Sequence, residues 1–303
     1  MHVDEVDTDS SLVQRLVAGQ FPAWADLPVE PVFPRGTDNA NYRLGDDKLV
    51  RLPRRAANVA ALERELAWLP VIAPALPLPI PSPLGRGEPA HGFPFRWTVL
   101  AWVEGRNVTV GEVATGTAEA LAELVLAIRG LDTRGAPPGL RRGALREHDA
   151  WVRECLPKMS DRYDVDALLA AWEELVDVPP WDGPPTWCHC DLDLRNLVFR
   201  DRVPAGVLDW GGAGVGDPAS DAAVAWKALP AEARPAFWNA LGAEEAEIAR
   251  ARGWTLFQCA GALSYYTPEN NPALYFEAER WLGELLGLSD RGAGESPAAA
   301  EPG

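Results

Sequence analysis

Between Trp187 and Gly212 the chain reads WCHCDLDLRNLVFRDRVPAGVLDWGG. Two short acidic motifs, His189-x-Asp191 and Asp209-Trp210-Gly211, bracket two apolar segments, with Asn196 five residues after Asp191. NLVFR and AGVLDW read as short strands and DRVP as the turn between them, so this hairpin returns Asp209 close to the loop holding Asp191 and Asn196. Two carboxylates and an amide oxygen then converge on one spot. Hard oxygen donors of this kind suit Mg2+, which keeps waters and takes one or two carboxylates plus substrate phosphates. A carboxylate left over can accept a proton from an attacking hydroxyl. The layout is that of phosphoryl transfer, where an Asp orients the nucleophile while Asn and a second Asp hold the metals. His189 is read as structural, holding the loop by packing and hydrogen bonding.

The elements that position this hairpin follow from the rest of the 303 residues. Asp9 and Ser10 start a short helix that runs through Gln20. PVEPVFPRG, NANYRLG and DKLVRLP, separated by turn residues, predict an antiparallel meander. AANVAALERELAWLPVI carries Val59, Leu62, Leu66 and Leu69 on one helical face. The proline-rich stretch PALPLPIPSPLG predicts an extended connector, and FRWTVLAWVEG, Phe95 to Gly105, a further strand. After it the pattern turns helical: TAEALAELVLAIRGLD, then segments near Glu147–Leu156, Asp166–Val176, Pro218–Leu229, Ala231–Leu241, Glu244–Leu263 and Pro272–Leu286. The expected fold is α+β and bilobal, a small antiparallel sheet lobe followed by a larger helical one. The expected boundaries are 1–104 and 105–290, with 291–303 a disordered tail.

Composition narrows the function. There are 44 acids against 28 bases, a net charge of −16, which disfavours nucleic acid as a partner and suits a cationic small molecule in an acidic cleft. The acidic start lacks a signal-peptide pattern and no run reaches the roughly 18 apolar residues of a membrane span, so the reading is a cytoplasmic protein without a membrane partner. Four cysteines are too few and scattered for a disulfide framework, and Cys188 and Cys190 lack the second ligand pair of a zinc site.

The stretch HCDLDLRNLVF…GVLDWGGAGVGDPASDAAVAW, together with RGTDNANYRLGDDKLVRLPRR, ERELAWL and YYTPENNPAL, resembles the aminoglycoside phosphotransferase family, relatives of the protein kinases, over about Val29 to Leu286. The resemblance implies a protein-kinase-like fold, Mg2+, and ATP or GTP as phosphate donor. It makes Asp191 the catalytic base and Asn196 and Asp209 metal ligands. It places Arg51, where most kinases have lysine, on the third strand against the α- and β-phosphates. Arginine can still engage phosphate bidentately. Lys48, three residues earlier, points to the opposite side of that strand. Glu65 rather than Glu63 matches the ion-pair partner of Arg51. In VLAWVEG the Ala101 C=O and Val103 N–H match the nucleobase contacts of the linker between lobes. GTDNAN replaces a glycine-rich loop, and Thr37 or Asn39 is a candidate phosphate contact there, with Asp38 read as a turn cap.

Asp217, before Pro218, reads as a structural helix cap. Asp221 and Glu269 are candidates for the acceptor side. Trp226, Trp238, Trp254 and Trp281 are expected mainly in the core. The function expected is transfer of the γ-phosphate to a hydroxyl of an aminoglycoside-like antibiotic. Its alternatives are another natural product or metabolite (macrolide, peptide antibiotic, choline, homoserine) or an inactive kinase-like binder. Oligomeric state is open.

Overall fold

Two groups of apolar residues, one on each side of a cleft, organise the chain. The computed structural model describes residues 5–33 and 36–287, and the expected tail over 291–303 lies outside them. Helix α1 (Ser10–Gln20) starts where the Asp9 carboxylate accepts the Leu12 N–H at 2.6 Å, and it buries Leu12, Val13, Leu16 and Val17. Strands β1 (Val29–Pro31), β2 (Asn39–Leu44) and β3 (Lys48–Pro53) form the predicted meander. Helix α2 (Ala56–Ile72) follows, then β4 (Pro83–Gly87) and β5 (Trp97–Ala101).

These five strands make one antiparallel sheet in the order β1-β2-β3-β5-β4. The proline-rich connector therefore ends in a strand, and it does so at the sheet edge, where missing N–H groups cost no ladder bonds. α1 and the sheet share one apolar cluster, with Val50, Leu52, Trp97 and Val99 fully buried.

The second cluster is mainly helical. It joins α2, through Leu62, Leu66 and Leu69, to α3 (Thr117–Arg129), α4 (Asp149–Cys155) and α5 (Val165–Val176). Strand β6 (Thr186–Cys188) leads into the hairpin of β7 (Leu197–Arg200) and β8 (Val203–Val207). Asp201 and Arg202 at its tip both have positive φ, 51° and 68°, the backbone a two-residue hairpin turn requires. β9 (Gly214–Gly216) pairs back onto β6, and α6 (Ala219–Ala222), α7 (Val224–Ala228), α8 (Arg234–Leu241), α9 (Glu245–Tyr265) and α10 (Pro272–Leu286) complete the lobe. This is the two-lobed α+β arrangement expected from the sequence. Among the described residues no helix is long and apolar enough to cross a membrane.

Residues 137–141 run alongside β9 with backbone against backbone. Gly139 N–H donates to Val215 C=O at 2.8 Å, and Asp217 N–H to Arg141 C=O at 2.9 Å. A Cβ on Gly216 would lie 2.3 Å from the Arg141 carbonyl oxygen, so the seam closes only because that side chain is missing. Gly216→Ala is expected to destabilise the fold by about 1–3 kcal/mol through overpacking. A chemical denaturation midpoint unchanged from wild type would show that the seam yields.

Candidate active site

The loop after β6 is held from behind by one buried carboxylate. Asp221 accepts the His189 N–H at 2.7 Å and the Cys190 N–H at 2.8 Å. Cys190 there has φ +72°, a left-handed backbone that a non-glycine residue keeps only where its surroundings enforce it. Asp221 is 1 % exposed and absent from the cleft lining, so the expectation that it faces an acceptor is corrected. Two backbone donors one residue apart claim both its oxygens, and helix α6 points it inward.

His189 is fully buried, with its ring against Trp210 at 4.6 Å between centroids. Its Nδ1 accepts the Asp191 N–H at 3.3 Å, so the proton sits on Nε2, which donates to the Leu208 carbonyl at 2.9 Å. The imidazole thereby ties the Asp191 loop to the segment before Asp209. The thiols of Cys188 and Cys190 are buried and turned to the carbonyls of Thr186 and Cys188.

Asp191 is gripped at both oxygens. Asn196 Nδ2 donates to its Oδ2 at 3.1 Å and to its backbone carbonyl at 2.8 Å. Gln258 Nε2, from α9, donates to Oδ1 at 2.9 Å. The fully buried Lys227 Nζ donates to Gln258 Oε1 at 3.0 Å. An ammonium can only donate, so it fixes which end of the Gln258 amide faces Asp191. Burial opposes ionisation of Asp191, but Arg195, Lys227 and Arg141 outweigh it and hold the carboxyl below its ordinary range.

With Nδ2 of Asn196 committed to Asp191, its Oδ1 is left to face elsewhere. Asp209, at φ +60°, keeps a half-exposed carboxylate in the same cleft. An amide oxygen and a carboxylate are hard donors, so the pair fits Mg2+ with water and phosphate oxygens completing the shell.

Arg51, on β3, makes a two-point contact through Nη1 with both Glu65 oxygens at 2.8 and 2.7 Å, while its Nη2 donates to Asp209 Oδ1 at 3.2 Å. Trp210 N–H donates to Glu65 Oε1 at 3.1 Å. Burial works against the Arg51 charge, but Glu65 and Asp209 outweigh it and its pKa is raised. Lys48 lies on the other side of the strand, over the Trp24 ring and bonded to Asp47. Glu63 faces Arg86 and Arg96 instead.

Thr37 and Asn39 both line the cleft; Thr37 Oγ1 accepts from Asn271 Nδ2 at 3.4 Å across it, and the Asn39 Oδ1 is buried without a partner. Among the described residues the Asp38 carboxylate accepts no backbone N–H, so the expected turn cap is not seen, and desolvation together with the Asp209 charge pushes its pKa up. Ala101 ends β5 and neither it nor Val103 lines the main cavity; among the described residues the Val103 N–H makes no hydrogen bond. Asp217 accepts the Ala219 N–H at 3.0 Å and the Trp254 indole N–H at 2.9 Å, with Arg250 alongside, a wholly internal set of partners.

The cleft is about 840 Å³. Beyond Asp191 its wall is aromatic: Trp151, Phe257, Tyr266, Phe276 and Trp281. Of the tryptophans singled out in the sequence only Trp281 reaches it, while Trp226 and Trp238 pack on each other and Trp254 is internal. Glu269 is not among the lining residues; its carboxylate turns to Thr267. Gln258, Lys227, Arg141 and Trp151 went unrecognised in the sequence. Only Lys227 left a trace, as one of three lysines in an arginine-rich chain.

Two predictions follow from this scaffold. Gln258→Leu is expected to lower kcat by about 10- to 100-fold through misplacement of Asp191, with nucleotide affinity unchanged. A parallel loss of nucleotide binding would assign Gln258 elsewhere. Asp221→Ala leaves two buried N–H groups unpaired and is expected to cost about 1–3 kcal/mol for each, read as a lowered unfolding midpoint.

Comparison with known proteins places this geometry. A family model described as "phosphotransferase enzyme family" matches residues 31–287. No curated protein matches the sequence. Among solved structures, a GDP and kanamycin complex of an aminoglycoside 2″-phosphotransferase superposes with a TM-score of 0.73 at 17% identity, covering 91% of this chain and 98% of that one. An ADP-bound enzyme of the same type gives 0.59 at 14% identity, with 93% and 99% covered. A macrolide 2′-phosphotransferase from Brachybacterium faecium gives 0.60 at 21% identity, with 91% and 97% covered. At these identities the structures establish a shared fold, and the family match, spanning most of the chain, establishes that this protein belongs to the phosphotransferase enzyme family.

Proposed function

We propose that the protein is a small-molecule kinase that moves the γ-phosphoryl group of ATP or GTP to an acceptor hydroxyl, with Asp191 as the base. The observation that carries this reading is the grip on Asp191. Its carboxylate is held ionised and aimed by Asn196 and Gln258 in the same cleft as Asp209 and Arg51. A carboxylate so placed can orient the hydroxyl and take its proton as the new P–O bond forms.

Asn196 Oδ1 and the Asp209 carboxylate would hold Mg2+, which when bound offsets the charge on the phosphate oxygens. Arg51, pinned by Glu65, would meet the α- and β-phosphates through the guanidinium edge now on Asp209. Thr37 and Asn39 stand on the loop that covers the phosphates in this reading. The free Val103 N–H, with the Ala101 C=O, would take the purine edge. The nucleotide-bound neighbours named above hold GDP or ADP, the diphosphates a donor would leave, so both purines are in play.

The acceptor class follows less directly. Neighbours of the aminoglycoside and macrolide types share the fold, so an antibiotic-like natural product alcohol is the class they favour. An aminoglycoside-like polycation, expected from the net charge, draws less support from the cleft itself, whose acceptor wall is aromatic rather than acidic. An inactive binder is disfavoured because Asp191, Asn196 and Asp209 are all present and mutually positioned.

Nucleoside-diphosphate release with Mg-ATP and Mg-GTP, measured across aminoglycosides, macrolides, peptide antibiotics and amino alcohols, tests the reading. Acceptor-dependent turnover is expected, reduced about 10²- to 10⁴-fold in Asp191→Ala with nucleotide binding retained. A protein that binds neither nucleotide would overturn it.

A further inference from the structure

The charge inside the acceptor half of the cleft runs against the charge of the chain. Arg141 lines it with its guanidinium carbon 5.1 Å from the Phe257 ring centroid. Among the described residues Arg141 has no ion pair and its side chain makes no hydrogen bond, and its Nε is buried without a partner. Arg195 and Glu277, which line the same cleft, are engaged. Arg195 is bonded to Asp193 at 2.5 Å and stands over Trp281. Glu277 accepts from Arg280 at 2.7 Å and from the Trp281 indole at 3.2 Å. Asp38 lines the cleft within reach of the Asp209 charge and of Tyr266, and burial works against its ionised form. Beyond the carboxylates assigned to phosphoryl transfer, a polycation entering here would find Asp38, whose burial opposes its charge, and it would meet an arginine that has no ion pair among the described residues.

The walls around Arg141 are apolar and open. Trp151 is 42 % exposed and Phe276 52 %, an extent of exposed aromatic surface that a ligand would cover. A planar guanidinium fixed on an aromatic face presents its N–H fork in one direction and matches a carboxylate at two points. Gly216 sets this direction by letting the Arg141 backbone seat on β9.

We propose that the acceptor is a hydroxylated molecule with an apolar or aromatic body and a carboxylate, and that Arg141 is the residue that selects it by binding that carboxylate. The inference rests on the kinase reading for the position of the acceptor hydroxyl, but its test does not require turnover. The rival source of anionic oxygens for Arg141 is the nucleotide's terminal phosphate.

The experiment is calorimetric titration of the full chain, with Mg-ADP and without it, using three matched probes: naphthyl-lactate, its methyl ester, and the amino alcohol naphthylalaninol. The carboxylate is expected to bind about 10- to 100-fold tighter than the ester, the range of a charge-assisted contact, and tighter than the amine. Arg141→Gln should erase the preference and Arg141→Lys should restore part of it, with Mg-ADP affinity unchanged in both. Equal binding of the three, tighter binding of the amine, no binding of any, or a preference that survives Arg141→Gln would each overturn the proposal. In a parallel titration with Mg-ATP, weakened binding in Arg141→Gln together with an intact carboxylate preference would assign the arginine to the nucleotide and overturn it too. Loss of nucleotide binding by the wild-type chain would instead remove the kinase reading and leave the carboxylate preference to stand on its own data.

Discussion

A single buried guanidinium ties together the three parts of the molecule that the chemistry needs. Arg51 stands on the sheet, Glu65 on α2 and Asp209 beyond the hairpin, and their contacts run through one side chain at 2.7 to 3.2 Å. Breaking one arm of such a buried pair strands a charge away from water, a cost of about 3–5 kcal/mol. The sheet, the helix and the segment after the β7–β8 hairpin are therefore coupled in position. The Trp210 N–H on Glu65 extends the coupling into the backbone next to Asp209.

A second constraint acts on the loop itself. Cys190 and Asp209 both hold left-handed backbone conformations that non-glycine residues avoid. Asp221, His189 and the Leu208 carbonyl enforce the conformation at the base of the cleft. Asp221 and His189, which do not line the cleft, thus help decide where Asp191 points. Lys227 belongs with them: it is buried and, among the described residues, pairs with no carboxylate directly, yet it orders Gln258 and through it Asp191.

The net charge of the chain and the charge of its cleft are different quantities. Most of the 44 acids lie away from the aromatic wall, and Asp191 and Asp209 inside the cleft stand beside Asn196 and Arg51. A strongly acidic total favours solubility and a diffuse field, but a ligand is selected by the few groups it touches. The charge sum pointed to a cation as acceptor, and the packing of Arg141 on Phe257 points the other way.

The spacing of Asp191, Asn196 and Asp209, and the strand parity separating Arg51 from Lys48, were legible because they depend on local periodicity. Turn geometry brings Asp209 back, and alternation along a strand puts residues three apart on opposite faces. The same local logic located the meander, α2 and most of the helices, and it placed Asp217 as a cap. It missed Asp221 and Glu269, whose charges suggested a ligand although one is consumed by two backbone N–H groups and the other turns to Thr267. Gln258 and Arg141 had no signature and Lys227 only its rarity, because Gln258 reaches Asp191 from 67 residues away and Lys227 reaches Gln258 from 31, and only packing decides such meetings. The sequence determined which groups can carry phosphoryl chemistry. The tertiary structure decided which of the remaining charges are spent inside the fold and which, like Arg141 in the cleft, have no ion pair among the described residues.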